Sequence, residues 1–110
     1  MVRIDYSPIA LLDLEQIGDY IEREYSNPIA AYSIVNTIQD SIDNLIVFPL
    51  MGVALSSTIN VNTDYRLLVC GDYLAFYRTD EDIVYIDRVL HGKRDYLAIL
   101  FPDLLRDDLQ

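Results

Sequence analysis

Hydrophobic residues recur with the period of a strand at the start of the chain and then with the period of a helix. Residues 2–6 alternate apolar and polar side chains, which predicts a short strand. Ser7 followed by Pro8 is typical of a helix start, and this helix is expected to end near Tyr25. Its apolar stripe consists of Ala10, Leu14, Ile17 and Ile21, whereas its water-facing acids are expected to be Asp13, Glu15, Asp19 and Glu22. A second helix begins at Pro28, and the short connection makes the two helices antiparallel neighbours.

The second half of the chain carries the alternating pattern and the tight turns of an antiparallel sheet. Strands are predicted over residues 64–69, 73–79 and 83–90. Gly71-Asp72 forms the first turn between them, and the acidic trio at 80–82 forms the second. A short helix or turn with an apolar rim should follow over residues 97–101, because Pro102 ends it.

These elements predict an α+β fold with the order β-α-α-β-β-β. Strands joined by tight turns form an antiparallel meander. The first strand is expected to join this meander, so the sheet should be four-stranded and antiparallel. The helical hairpin must bury its apolar stripes on one face of that sheet, and a short C-terminal helical segment completes the fold. Residues 1–110 are near the common size of one domain, and we expect a single domain.

The charge of the chain limits the partners that it can bind over its whole surface. The net charge is −10 and only 8 residues are Lys or Arg, whereas binding to a nucleic-acid backbone requires cations on the protein. We therefore expect no direct sequence-specific DNA binding. One histidine and one cysteine, Cys70, give no metal-ligand spacing, and neither a metal nor a cofactor is expected. No leader starts the chain and no apolar run approaches ~18 residues, so we expect a cytoplasmic protein without membrane contact.

One short stretch is rich in cationic residues although the chain as a whole is acidic. Its cationic or titratable residues lie within seven positions at the end of the last predicted strand: Arg88, His91, Lys93 and Arg94. Together with Arg66, Arg78 and Tyr96 they are the candidates for a target-binding surface that holds a phosphate or an acidic partner. The alternative is that the arginines form ordinary solvated ion pairs with nearby aspartates, and that the histidine is structural.

Three segments of the chain resemble one superfamily of proteins. They are Arg88-Val89-Leu90-His91-Gly92-Lys93-Arg94-Asp95-Tyr96, the preceding hairpin Gly71-Asp72-Tyr73-Leu74-Ala75-Phe76-Tyr77-Arg78, and the upstream Tyr65-Arg66-Leu67. Their order and spacing, after a two-helix N-terminal half, resemble toxins of the RelE/ParE superfamily, the toxin halves of bacterial type II toxin–antitoxin modules. The resemblance implies a growth-inhibiting toxin that a cognate antitoxin neutralises. The antitoxin tail is expected to be an amphipathic helix with an extended segment, presenting Lys or Arg to the acidic residues 1–64.

Two modes of action are known in this superfamily, and the sequence favours one of them. In a ribosome-dependent mRNA interferase, an endoribonuclease, the catalytic residues would be His91, Tyr96 and Arg66. The resemblance places Leu74 where such nucleases carry an arginine, and Leu74 cannot stabilise the reacting phosphate. The run that begins at Arg88 is similar instead to the ParE-like branch, whose members contact DNA gyrase. We therefore favour the ParE-like mode over mRNA cleavage on the ribosome. A third possibility is an inactivated member that only binds antitoxin.

Overall fold

The helical hairpin begins and ends where its capping residues predict. The structure, a computed structural model, describes residues 2–103. Helix α1 spans Pro8–Tyr25, and the Ser7 hydroxyl caps it by accepting a hydrogen bond of 2.9 Å from the Ala10 amide. Helix α2 spans Pro28–Asp43, and the preceding asparagine side chain caps it in the same way. The two predicted helices and the short connection between them are therefore confirmed.

Five strands form one sheet. The strands are β1 (Arg3–Tyr6), β2 (Val53–Ala54), β3 (Arg66–Cys70), β4 (Tyr73–Asp80) and β5 (Ile83–His91). The shorter elements are a 3₁₀ turn over Asn44–Ile46, the one-turn helix α3 (Leu55–Thr58) and the helix α4 (Tyr96–Leu100). The strand order is β1-β5-β4-β3-β2. The α+β class, the antiparallel meander of β3, β4 and β5, and the short C-terminal helix are confirmed.

The first strand joins the sheet in parallel. β1 lies beside β5, with Arg3 opposite Ile83 and Tyr6 opposite Ile86, and the two-residue β2 adds a fifth strand next to β3. The sheet is therefore mixed and five-stranded, where a four-stranded antiparallel sheet was expected. No tight turn connects β1 to its neighbour β5, so a hairpin does not fix the direction of β1. Helix α1 follows β1 directly and must cross the sheet there, which sets that direction instead. The Ser7 amide fixes that crossing by donating to the Ile86 carbonyl at 2.9 Å.

The main core lies between the helical hairpin and one face of the sheet. Helix α2 contributes Ile38 and Ile42, which are 1% and 0% exposed. The sheet contributes Leu68, Cys70, Ala75, Tyr77, Val84, Ile86 and Val89. The predicted stripe of α1 packs against them through Ala10, Leu14 and Ile17, and its fourth member, Ile21, is also buried. Burial raises the pKa of the Cys70 thiol to about 11, so this cysteine is a packing residue and not a nucleophile.

The C-terminal segment covers part of the opposite face of the sheet. Phe76 and Leu90 are buried, although neither belongs to the core under the hairpin. The Tyr96 ring packs on Phe76 with 5.2 Å between the ring centroids. Phe101 packs edge-on against Tyr65 with 6.1 Å between the centroids. The segment that follows β5 therefore closes a second, smaller core.

A β-bulge divides β5 into two halves. Phe76 pairs with Arg88 and Tyr77 pairs with Ile86, which leaves Asp87 as the extra residue. β1 pairs only with the half of β5 before the bulge. The edge of β5 beyond Asp87 is thus available to side chains of α1, and the candidate site lies at this edge.

Candidate functional site

A cleft of about 720 Å³ opens between the helical hairpin and the ends of β4 and β5. Its aromatic and cationic lining consists of Tyr20, Tyr25, Tyr73, His91, Lys93 and Arg94. The first two come from the last turns of α1, the third begins β4, and the other three end β5 or follow it. The cleft therefore lies between the acidic helical hairpin and the short cationic stretch at the end of β5.

Three tyrosines form the wall of the cleft. Tyr20 and Tyr25 are 53% and 66% exposed, so their rings face solvent. Tyr73 packs edge-on against His91, with 5.1 Å between the ring centroids. Burial raises the pKa of Tyr73, and the neighbouring Asp72 carboxylate raises it further. The Tyr73 hydroxyl therefore remains protonated at neutral pH and can donate a hydrogen bond.

The turn after β5 forms the cationic rim of the cleft. The His91 carbonyl accepts from the Arg94 amide at 3.0 Å, and Nδ1 of the His91 ring accepts from the Lys93 amide at 3.1 Å. In the neutral ring the proton is then on Nε2, which stays available as a donor. Gly92 anchors the turn by donating from its amide to the Asp72 carbonyl at 2.8 Å. Within the described residues, neither Lys93 nor Arg94 forms an ion pair.

Arg88 is held by a buried carboxylate of α1. Asp13 accepts from Nε and Nη2 of Arg88 at 2.8 and 2.9 Å and from the Val89 amide at 3.0 Å. The hydrogen bonds to Asp13 raise the pKa of Arg88, although partial burial opposes them. The expectation that Asp13 faces water is wrong, since its side chain is only 8% exposed. It lies between Ala10 and Ile17 at helical spacing, on the side of α1 that packs on the sheet.

Arg78 belongs to a network on the face of the sheet away from the hairpin. Its Nε donates to the Asp87 carboxylate at 2.8 Å, and its guanidinium lies over the Tyr85 ring, 5.2 Å from the centroid. The hydrogen bond to Asp87 raises the pKa of Arg78. Burial and a hydrogen bond to the same carboxylate raise the pKa of Tyr65 to about 12. Asp87, the residue of the bulge, thus organises this network.

Arg66 fastens a loop to the edge of the sheet. Its Nη1 donates to the Gly52 carbonyl at 2.7 Å and to the Leu50 carbonyl at 3.3 Å. The buried Tyr77 hydroxyl accepts from the Gly52 amide at 2.9 Å. A Cβ at position 52 would lie 2.7 Å from the Tyr77 hydroxyl, so only glycine fits there. The Arg66 guanidinium is therefore occupied by backbone carbonyls of the loop.

The structure brings three of the seven predicted target-binding residues together and separates the others. His91, Lys93 and Arg94 line one rim of the cleft. Arg88 is linked to the cleft only through Asp13, which also lines it. Arg66, Arg78 and Tyr96 are not among the lining residues.

The three residues predicted for a nuclease lie apart. Along the register of β4, His91 and Arg66 are separated by four residues and two strands, a Cα distance of about 16 Å. Tyr96 packs on Phe76 and is not among the residues that line the cleft. These positions do not place an acid, a base and a phosphate-binding cation around one reacting group.

Sequence reasoning missed the contribution of α1 to the site. Tyr20 and Tyr25 fall outside the apolar stripe of the helix and give no local signal of a shared cleft. The signal lies in the helical spacing of Asp13, Gln16 and Tyr20, which places all three on one side. Once Asp13 is known to bind β5, that side must also face the end of β5.

The cleft combines an aromatic wall with cations that have no ion-pair partner in the described chain. Within residues 2–103, no three His, Cys, Asp or Glu side chains are grouped so as to hold a metal ion. None of the helices in that range has the length and apolar character needed to cross a membrane. The arrangement suits an anionic partner that also presents apolar surface.

Comparison with known proteins identifies the family. Residues 4–96 match the family described as the ParE toxin of the type II toxin–antitoxin system parDE. The chain belongs to this family. No curated protein matches the sequence. The predicted membership of the RelE/ParE superfamily is thus confirmed.

Solved structures share the fold of this ParE-family chain. A chain of the chromosomal ParDE TA system from P. aeruginosa has a TM-score of 0.70 and 20% identity, covering 83% of this chain and 96% of that chain. A chain of the E. coli DinJ-YafQ complex has a TM-score of 0.53 and 16% identity, with coverages of 92% and 99%. A mutant of YafQ from E. coli has a TM-score of 0.52 and 16% identity, covering 92% of this chain and 99% of that chain. At these identities the three structures support the fold alone.

Proposed function

We propose that this ParE-family toxin arrests growth by binding DNA gyrase through the cationic rim of its cleft, and that a cognate antitoxin neutralises it. The observation that carries the proposal is the pair Lys93 and Arg94, which form no ion pair among the described residues and lie beside two exposed tyrosines. Acidic and apolar side chains of a protein partner complement such a surface. Gyrase is suggested by the resemblance to the ParE-like branch. The antitoxin is suggested by the family and by relatives solved as a ParDE system and a DinJ-YafQ complex.

The positions of the candidate nuclease residues also support action by contact. RNA cleavage needs an acid, a base and a cation within hydrogen-bond reach of one phosphate. Arg66 is bound to loop carbonyls and Tyr96 stacks on Phe76, so neither is beside His91. Leu74 pairs with Leu90 in the sheet and supplies no charge. Binding to a protein target needs none of these groups.

The experiment compares a charge reversal on the rim with the same reversal elsewhere. Arg94→Glu is expected to abolish growth arrest and to weaken inhibition of gyrase supercoiling by the purified toxin at least about 10-fold, because it turns attraction for an acidic partner into repulsion. The matched control is Arg23→Glu, which makes the same charge change on the exposed side of α1. His91→Gln, which keeps size and hydrogen bonding, should retain much of the toxicity. Equal activity of the Arg94 and Arg23 variants would contradict the proposal.

Ribosome-dependent mRNA cleavage is the second candidate, and one observation favours it. Nδ1 of His91 accepts from the Lys93 amide, so Nε2 is left to exchange a proton with a substrate beside two cations. Primer extension on cellular mRNA distinguishes the two modes. Codon-specific cleavage that disappears in His91→Gln would replace the gyrase proposal with an endoribonuclease. Absence of growth arrest by the unaltered chain, with antitoxin binding retained, would indicate an inactivated member.

A further inference from the structure

The cleft at the end of β5 has the size of a site for a small molecule. Its volume of about 720 Å³ lies within the range of about 300–1,000 Å³ that is typical of ligand-binding pockets. Such pockets are mostly apolar and carry a few polar groups that orient the ligand. The apolar lining of this cleft comes from both helices and from β5: Ile17, Ile21, Ile34, Val89 and Leu90. The cleft can therefore hold a whole small molecule.

Three tyrosines gather their phenol groups in the cleft. Burial and the Asp72 carboxylate raise the pKa of Tyr73. The phenols of Tyr20 and Tyr25 raise it further, so the three hydroxyl groups lie close together. The rings of Tyr20 and Tyr25 are largely exposed, and an exposed aromatic ring can stack on a flat ring of a ligand. The tyrosines thus suit a ligand with a planar aromatic part.

The turn after β5 supplies the groups that an anion needs. Lys93 and Arg94 are exposed and form no ion pair within residues 2–103. Nδ1 of His91 accepts from the Lys93 amide at 3.1 Å, so Nε2 of the neutral ring can donate to a ligand. Ammonium and guanidinium groups form charge-assisted hydrogen bonds with phosphate oxygens. This turn can therefore bind a phosphate group of the ligand.

The acidic surroundings of the cationic rim limit the ligand to a small anion. The exposed Asp19 precedes Tyr20 on α1, and the exposed Asp72 precedes Tyr73 and lines the cleft itself. The net charge of −10 repels a nucleic-acid strand, whose many phosphates need many cations. One or two phosphate groups need only the two cations of the turn. A free nucleotide therefore fits the charge pattern better than RNA or DNA does.

Gln16 adds an amide that can recognise the edge of a base. It lines the cleft from the side of α1 that also carries Asp13 and Tyr20. Its side chain is exposed and can therefore reach a ligand. A glutamine amide can accept from N6 and donate to N7 of adenine at the same time. Inorganic phosphate would leave both this amide and the tyrosine rings unused, so the lining favours a nucleotide with an adenine base.

We propose that the cleft binds an adenine nucleotide with one or two phosphate groups. The adenine ring stacks on Tyr20 and hydrogen-bonds with the Gln16 amide. The phosphate is held by Lys93 and Arg94, and Nε2 of His91 is a further donor. The inference goes beyond the proposed function, because it assigns a ligand to the cleft whether or not the target of the toxin is gyrase.

Isothermal titration calorimetry of the purified chain with ADP tests the inference directly. ADP is expected to bind at one site. Adenosine and inorganic phosphate each lack one half of the contacts and should bind at least about 10-fold more weakly. UDP should also bind more weakly than ADP, because its base does not offer the N6 and N7 pair to Gln16.

Two pairs of variants assign the contacts to the two ends of the ligand. Tyr20→Ala is expected to weaken ADP binding at least about 10-fold through loss of stacking. Tyr32→Ala is its control, because Tyr32 is 71% exposed on α2 and does not line the cleft. Arg94→Ala should weaken ADP binding at least about 10-fold through loss of a phosphate contact. Its control is Arg23→Ala, which removes the same charge outside the cleft. All four side chains are exposed, so the fold should be kept.

NMR titration locates the site without a substitution. The amide signals of Lys93, Arg94 and the last turns of α1 should shift when ADP is added. Shifts confined to other parts of the chain, or no ADP binding at all, would overturn the inference. Equal affinity for ADP and inorganic phosphate would overturn it too, since the cleft would then hold an adventitious ion only. Tighter binding of a single-stranded oligonucleotide than of ADP would replace it with a nucleic-acid surface. The titrations contain no gyrase, so this proposal and the proposed function can fail independently.

Discussion

The strands and the turn after β5 use their cations in opposite ways. Each arginine within β3, β4 or β5 has its guanidinium bound inside the molecule, Arg66 by loop carbonyls, Arg78 by Asp87 and Arg88 by Asp13. Lys93 and Arg94 in the turn form no ion pair with the rest of the described chain. Within residues 2–103, the cations inside the sheet are held by the fold, whereas the two cations in the turn beyond β5 have no ion-pair partner.

The difference follows from what surrounds each position. The side chains of Arg78 and Arg88 are partly removed from water, with 43% and 23% of their surface exposed, so each charge is stabilised by a partner close by. The turn after β5 is anchored through Gly92 and the His91 carbonyl, which holds the backbone and leaves the neighbouring side chains outside. The cationic or titratable residues of this one stretch therefore have different surroundings, and the difference is visible only in the fold. Arg88 is bound by Asp13, whereas Arg94 forms no ion pair among the described residues.

The strongest test of the comparison removes the carboxylate that holds Arg88. Asp13→Ala leaves a partly buried guanidinium and the Val89 amide without their acceptor, and we expect a loss of about 3–5 kcal/mol in the free energy of unfolding. Urea denaturation measures it. Asp19→Ala is the control, since Asp19 is exposed on the same helix and its removal should change stability by less than ~0.5 kcal/mol. A loss below ~1 kcal/mol for Asp13→Ala would mean that the pair of Asp13 and Arg88 does not support the fold.

The local elements of the fold were predictable because short-range chemistry decides them. The hydroxyl of Ser7 before Pro8 starts α1, and the turn at Gly71-Asp72 joins β3 to β4, as the sequence indicates. The parallel direction of β1 was not predictable in this way, because β5 lies far away in the chain. The same limit applies to Asp13, whose partner Arg88 is 75 residues away. The sequence identified the cations but not which of them the fold would use.

A smaller effect is expected where a strand arginine binds only backbone carbonyls. Arg66→Ala removes charge-assisted hydrogen bonds to Leu50 and Gly52, and we expect a loss of about 1–3 kcal/mol in unfolding free energy. Arg3→Ala is the control, because its ion pair with Asp5 is exposed and should contribute less than ~1 kcal/mol. Equal stabilities of the two variants would contradict the assignment of Arg66 to the fold.

The smallest change in stability is expected for the cations of the turn. Replacing both Lys93 and Arg94 with alanine removes side chains that form no ion pair in the described structure, while the backbone bonds to His91 and from Gly92 remain. The free energy of unfolding should stay within ~0.5 kcal/mol of the unaltered chain in urea denaturation. Growth arrest should nevertheless be lost, because the cationic rim no longer attracts an acidic partner. A double variant that unfolds easily would show that these cations also support the fold. A stable double variant that keeps full toxicity would show that the rim contacts no target.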